Sequence, residues 1–336
     1  MHASRKMKLL ANLMLIVSAA IWGGNFVAQR VAAEYVGPFS FVAARFLLGS
    51  CSLIPLILYR NYQAKKWPGA ASAVAAEMES RKPIRGRQFL ATVAFCGLIN
   101  GAGTVMVQIG LAHTTASKAG FLTAIYIVFV PILGMFLFHK KTSLFTWVGV
   151  ILTMGGLYLL CAPGLSGGLV IQGGDLIILL STLFFALHIH LIACISPRVD
   201  GIKFVCGEFF FSGSLFTIIA LVQEDGIISG LMNCVWVLLY AGIMAVGVGY
   251  SLQVTAQRYT DPTVAALLMS LEAVFSALCG VLVLHERMSV QEVLGSVAIM
   301  CAVIVAQLPG KPSGPEEDGE MPETPEIPEN EKDPAA

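Results

Sequence analysis

Apolar residues run along this chain in ten blocks: Leu9–Ala28, Pro38–Tyr59, Gln88–Thr114, Ala116–Phe138, Leu144–Cys161, Asp175–Ile195, Lys203–Val222, Val235–Ala256, Thr263–Leu284 and Val290–Leu308. Short polar, basic or glycine-rich stretches part them. The hydrocarbon core of a bilayer takes about 20 helical residues to cross, so each block is long enough to span. The pattern predicts an all-α integral membrane protein with ten transmembrane helices.

The polar positions inside the blocks are spaced for helices. In the first, Ser18, Trp22, Asn25 and Gln29 are four, three and four residues apart, which puts them on one face. A polar stripe of that kind should border a cavity. The third block carries Asn100, Thr104 and Gln108 at four-residue steps, and Gly97, Gly101 and Gly103 permit close helix approach. The fourth centres on Tyr126 and contains Pro131. Arg45 lies well inside the second block, where it reads either as a side chain snorkelling to the headgroups or as an anion-binding group. Glu272 sits near the middle of the ninth. A carboxyl group is costly there unless it faces water or a partner, so by default it marks function.

Two constant offsets run through the sequence. A shift of 146 residues carries Thr114 onto Thr260, Leu122 onto Leu268, Val128-Phe129 onto Val274-Phe275, Gly134 onto Gly280 and Gly149 onto Gly295, without a gap. A shift of 163 carries Phe41-Val42 onto Phe204-Val205 and Phe46 onto Phe209. Under it Asn25 becomes His188 and Arg45 becomes Glu208. The chain is an internal duplication, with a first repeat over 1–161, an outside linker over 162–174, a second repeat over 175–308 and a tail over 309–336. Five spans per half is an odd number, so the second half enters the membrane from the other side. The expected architecture is an inverted repeat of two five-helix halves, an arrangement that serves alternating access around a midplane site.

Composition agrees with a lipid environment: 56% of the residues are hydrophobic and 12% charged, against about 25% charged in soluble domains. The formal net charge of zero conceals an asymmetry. The tail from Pro309 holds nine acidic and two basic residues, which leaves 19 basic against 12 acidic in the rest. With the N-terminus inside, seventeen basic residues fall on inner segments and only Arg30, Lys118 and Arg287 outside, as the positive-inside rule requires. Both termini are therefore expected in the cytoplasm. The stretch Arg60–Arg87 reads as a flexible basic loop and the Pro- and Glu-rich tail as disordered. Ser18-Ala19-Ala20 imitates a signal-peptide cleavage site, yet the first block reads as a retained helix. The eight cysteines are scattered, without a C-x-x-C pair, and read as small buried apolar residues.

Three motifs, Ala20-Ile21-Trp22-Gly23-Gly24-Asn25-Phe26, Ser270-Leu271-Glu272-Ala273-Val274-Phe275 and Leu284-His285-Glu286-Arg287, resemble those of the EamA-type transporters of the drug/metabolite transporter (DMT) superfamily. The resemblance covers about residues 9 to 308. The sequence departs from the family pattern in two respects. His139-Lys140-Lys141 and His285-Glu286-Arg287 stand where the family usually has Gly-Glu-Arg, and Ala273 stands where Pro usually follows the Glu.

The phosphate-binding Gly-rich loop of soluble nucleotide-binding enzymes does not occur. His188 and His190 look like a metal pair, but residues two apart on a helix lie about 200° apart. His188 continues the face of Ser181 and Phe185, and His190 reads as a packed histidine. No metal or other cofactor is expected. The candidate substrate-binding set is Trp22, Asn25, Asn100, Gln108, Tyr126, His188, Tyr250, Gln253 and Glu272, with Arg45 and Glu208 as candidate charge partners and Glu272 as the proton-coupling candidate. Their six spans match those that line the central cavity in the family. The resemblance implies a secondary active transporter, an exporter of small polar or amphipathic metabolites such as amino acids, in a prokaryotic inner membrane. Its partners would be a small-molecule substrate and the bilayer, with no nucleic acid, and it would act as a monomer or homodimer. Two alternatives stay open: an intramembrane enzyme using His188 with Glu208 or Glu272, and a non-transporting sensor or assembly partner.

Overall fold

A computed structural model describes residues 5–66, 82–114, 116–139, 142–161, 173–284 and 288–306. The regular structure among them is helical, with no strand. The elements are α1 (Arg5–Ala32), α2 (Pro38–Lys66), α3 (Gly86–Leu111), α4 (Ala116–Ala124), α5 (Tyr126–Phe138), α6 (Leu144–Cys161), α7 (Gly173–Ile195) and α8 (Gly201–Gln223). They continue as α9 (Ile227–Asn233), α10 (Val235–Leu239), a π-helical segment Tyr240–Tyr250, α11 (Ser251–Gln257), α12 (Pro262–Met269), α13 (Glu272–Leu284) and α14 (Val290–Ala306). A single 3-10 turn, Ser196–Arg198, joins α7 to α8.

Eight of the described helical stretches are long and apolar enough to cross a bilayer, and Leu144–Leu159 and Val290–Val305 are shorter apolar helices. The bundle reverses the polarity of a water-soluble protein. Leu9, Phe136, Ile151, Trp236 and Ile304 stand exposed on its outside, while Asn25, Arg45, Asn100, His188, Glu208, Gln253 and Glu272 are buried. An apolar exterior of that extent fits lipid, not water.

Helix packing follows the duplication. α2 lies along α8 and α6 along α14, each helix against its counterpart in the other half. α3 lies along α7, and the stretch Val235–Gln257 lies along α1; α1 lies along α12 and α13, and α7 along α4 and α5. Exchanging the halves turns each of these pairings into another of the set or into itself. Close backbone approach is built into one of them. A Cβ on Gly23 would stand 2.6 Å from Phe275 Cβ and 2.7 Å from the Glu272 carbonyl oxygen, so only glycine lets α1 seat against the start of α13.

Helix ends are tied across the halves as well. The carboxylate of Glu224, just past α8, accepts from the amides of Phe39 (2.9 Å) and Ser40 (2.8 Å) in the first turn of α2. Asp200 caps α8 by accepting from the amides of Ile202 and Lys203 and is paired by Arg60, near the end of α2, at 3.4 Å. Such contacts satisfy amides that the first turn of a helix leaves without partners.

The expected single helices of the fourth and ninth spans are each broken in two. α4 gives way to α5 at Ile125, and α12 to α13 at Ser270-Leu271. The shift of 146 residues relates Ile125 to Leu271, so the two breaks are equivalent. At both, the chain tightens to three-residue hydrogen bonds: Ile125 to Leu122, Val128 to Ile125, Leu271 to Leu268 and Ala273 to Ser270. The eighth span is likewise irregular through its π-helical turns, and the short α9 before it has no counterpart among the ten predicted blocks. Most of the expected linker, the tail over 309–336, Lys140-Lys141 and His285-Glu286-Arg287 lie outside the described residues.

Candidate functional site

A cavity opens inside the bundle. α1 contributes Trp22, Asn25 and Gln29 of the predicted polar face, with Phe26 beside them, and the fourth residue of that face, Ser18, is not in the lining. Hydrogen bonds to the π-helical segment hold that helix in rotation: Ser18 Oγ donates to the Gly249 carbonyl (2.8 Å) and Trp22 Nε1 to the Ala245 carbonyl (3.1 Å). Tyr240 Oη donates back to the Ile21 carbonyl (2.8 Å). Trp22 also stacks at a tilt on Tyr250, with ring centroids 4.8 Å apart.

Arg45 reaches the cavity from α2, and Asn100, Thr104 and Val107 from α3. Arg45 is only 4% exposed. Its guanidinium lies 5.7 Å from the centroid of Phe41 and 5.4 Å from that of Phe46, so the snorkelling alternative does not describe it. The broken spans supply Thr123 and Tyr126 on one side and Met269 and Glu272 on the other. Tyr126 and Glu272 each begin the second piece of a broken span and are related by the same 146-residue shift. Glu272 is 3% exposed, and its Oε1 accepts no hydrogen bond.

α7 adds Phe185, His188 and Ile189, and the eighth span adds Ala245, Val246, Tyr250 and Gln253. His188 Nε2 lies 2.7 Å from Glu208 Oε1, both side chains being buried. Asn100 Nδ2 donates to the same oxygen at 3.4 Å, and Tyr250 Oη donates to Asn100 Oδ1 at 3.3 Å. The chain Tyr250–Asn100–Glu208–His188 thus links α3, α7, α8 and the eighth span through one buried network.

Of the nine predicted substrate-binding residues, the structure brings Trp22, Asn25, Asn100, Tyr126, His188, Tyr250, Gln253 and Glu272 to one wall, and Arg45 with them. Gln108 does not reach it: buried behind α1, it donates from Nε2 to the Gln29 carbonyl (3.2 Å). Glu208 is also outside the lining, and the two candidate charge partners do not pair with each other, since Glu208 is held by His188. His190 faces away and contacts the Val130 carbonyl at 2.7 Å. The sequence reading missed Phe26, Val107, Thr123, Ile189, Ala245, Val246 and Met269. The offsets contain that signal for Phe26, Ile189, Thr123 and Met269, because Trp22 and Phe185, Phe26 and Ile189, Thr104 and Tyr250, and Thr123 and Met269 are all repeat-related pairs that line the cavity.

A lipid-facing helical bundle around a polar cavity defines a membrane transporter fold, and comparison with known proteins agrees. The chain matches the EamA-like transporter family over residues 9–162 and 172–307 and belongs to that family, within the DMT superfamily. It is similar to an uncharacterized transporter of Archaeoglobus fulgidus, 28% identical over 90% of this chain and 87% of that one. An uncharacterized transporter of Bacillus subtilis, YoaV, is 20% identical over 87% of this chain and 95% of its own. A solved crystal structure superposes with a TM-score of 0.70 at 16% identity, covering 89% of this chain and 96% of that one, which shows the fold. The protein is a multi-pass membrane protein of a transporter family, whose ligand is a small molecule.

Proposed function

We propose that the chain is a ten-helix inverted repeat, halves 1–161 and 175–308, and a secondary active exporter of small polar or amphipathic metabolites such as amino acids. It works by alternating access, with both termini in the cytoplasm of a prokaryotic cell. The observation that carries the reading is the pairwise construction of the cavity, in which repeat-related residues from both halves face one space. A site shared in this way changes its exposure when the halves rock against each other. Both halves are present in one chain, so a monomer is sufficient.

Glu272 is the coupling group. It is a buried carboxyl at the start of α13, with an oxygen free to take a proton or a ligand cation, and an ionisable group placed so is the usual mark of a proton relay. The amides of Ala273 and Phe275 bond back to Ser270 and Leu271 and leave the carboxyl to the cavity. An intramembrane enzyme built on His188 and Glu208 draws support from their 2.7 Å contact, but Glu208 does not line the cavity.

The test is counterflow in proteoliposomes, using labelled amino acids, nucleosides, vitamins and cationic drugs in turn, with wild type, Glu272→Gln and His188→Ala. At least one compound is expected to exchange through the wild type and to lose exchange in the variants. A panel that gives no exchange, or exchange untouched by both substitutions, contradicts the reading.

A further inference from the structure

The buried charged groups in and behind the cavity wall differ in how the protein answers them. Glu208 is met by His188 at 2.7 Å and by Asn100 at 3.4 Å. Arg45 is met by no carboxylate: no ion pair among the described residues includes it, and its Nε and Nη1 donate no hydrogen bond. A guanidinium keeps its charge when buried, because that charge is delocalised over the whole group. The faces of Phe41 and Phe46 compensate only part of its lost hydration, since a cation–π contact is weaker than the desolvation of an unpaired ion. An arginine kept in this state on a cavity wall has its donors reserved for something that comes and goes.

From this we infer that the transported molecule carries a carboxylate, which Arg45 grips in its donor fork while an apolar or aromatic body packs against Trp22, Phe185 and Tyr250. The inference rests on the cavity being the substrate site and names the class of molecule it takes. The fork geometry of guanidinium matches a carboxylate bidentately. The remaining lining is mainly apolar: Phe26, Val107, Ile189, Val246 and Met269 surround the same space, which suits a short apolar side chain better than a sugar. Glu272 Oε1, Asn25 Oδ1 and Gln253 Oε1 lack donors and offer acceptors to an ammonium group. Amphipathic zwitterions therefore satisfy the groups at both ends, and purely cationic compounds leave Arg45 facing a like charge.

The experiment is thermal stabilisation of the full-length protein in detergent by three matched probes: L-phenylalanine and L-leucine, their carboxamides, and tetraphenylphosphonium. The acids are expected to bind at least about tenfold more tightly than the carboxamides and the cation, the scale of a lost charge-assisted pair. Arg45→Gln is expected to erase that preference, and Arg45→Lys, which keeps the charge and loses the fork, to reduce it to a few-fold. The acid-to-amide comparison on wild type needs no variant, so a substitution that fails to fold does not remove the test. Equal binding of acids and carboxamides, or tighter binding of the cation, overturns the carboxylate inference and leaves the transporter reading standing. Binding by none of the three classes also overturns the carboxylate inference, and the counterflow panel then decides the transporter reading separately.

Discussion

The two halves of this molecule share one backbone plan and differ in the chemistry placed on it. At equivalent positions the first half presents Asn25, Arg45 and Tyr126, and the second presents His188, Glu208 and Glu272. Both broken spans begin their second piece at the same repeat position, yet one carries a phenol and the other a carboxyl group. The symmetric part forms a cavity lined from both halves, as the proposed alternating access requires. The asymmetric part places different charges in and beside that cavity: on α2 a cation without an ion-pair partner among the described residues, a His–Glu pair between α7 and α8, and a carboxyl at the start of α13. Selection of a ligand and coupling to protons can then be assigned to different halves.

The strongest way to break the comparison is at the equivalent pair Tyr126 and Glu272. Glu272→Gln is expected to lower proton-driven transport at least tenfold and to remove its dependence on the pH gradient, whereas Tyr126→Phe changes rate by a few-fold and keeps that dependence. Transport with an unchanged pH response in Glu272→Gln would remove the carboxyl from the coupling step. Next comes the pair Asn25 and His188. Loss of His188 strands Glu208 in the interior, and breaking a buried pair from one side costs about 3–5 kcal/mol; Asn25→Ala is expected to cost much less, because Asn25 Oδ1 accepts no hydrogen bond that the substitution would break. Thermal unfolding of the two variants in the same detergent separates these values.

A smaller effect is expected at Gly23, whose counterpart is the buried Ala186. Gly23→Ala forces α1 away from the start of α13 and is expected to cost about 1–3 kcal/mol, as overpacking does, and to weaken ligand binding through the displaced Glu272. Ala186→Gly costs about 1 kcal/mol, the helix-propensity difference. Least is expected of Gln108→Ala, which loses one bond to the Gln29 carbonyl and leaves ligand affinity within about twofold, because the side chain lies outside the lining. An affinity loss at Gln108 as large as that at Asn100 contradicts the placement.

Much of this arrangement is legible before any coordinates. Helices are written in the length of apolar blocks, and the observed boundaries of α2, α6 and α14 begin where those blocks begin. The cavity face of α1 is written in the four-three-four spacing, because a residue that must be polar inside lipid stands out against its neighbours. Other features leave no mark in hydropathy. The breaks at Ile125 and Ser270-Leu271 fall within continuous apolar sequence with no proline or glycine at the break, so only tertiary packing discloses them. Gln108 illustrates the opposite error: it shares a helical face with Asn100 and Thr104, but a four-residue step drifts around the helix by about 40°, and by the second step the side chain has left the cavity for the back of α1. Sequence offers His188 either Glu208 or Glu272 as a partner, and the choice of Glu208 is set by packing, since the repeat relates Glu208 to Arg45 and says nothing of which neighbour on α7 it meets.

The central claim, a cavity served alternately from the two sides of the membrane, is tested most directly by labelling one cavity position from each side. Thr104, buried on the cavity wall, is replaced by cysteine in a background in which the eight native cysteines are changed to alanine or serine, and oriented vesicles are treated with a membrane-impermeant maleimide. The account predicts labelling from either side, with substrate slowing both reactions. Labelling from one side alone, under all conditions of substrate and pH gradient, would contradict it.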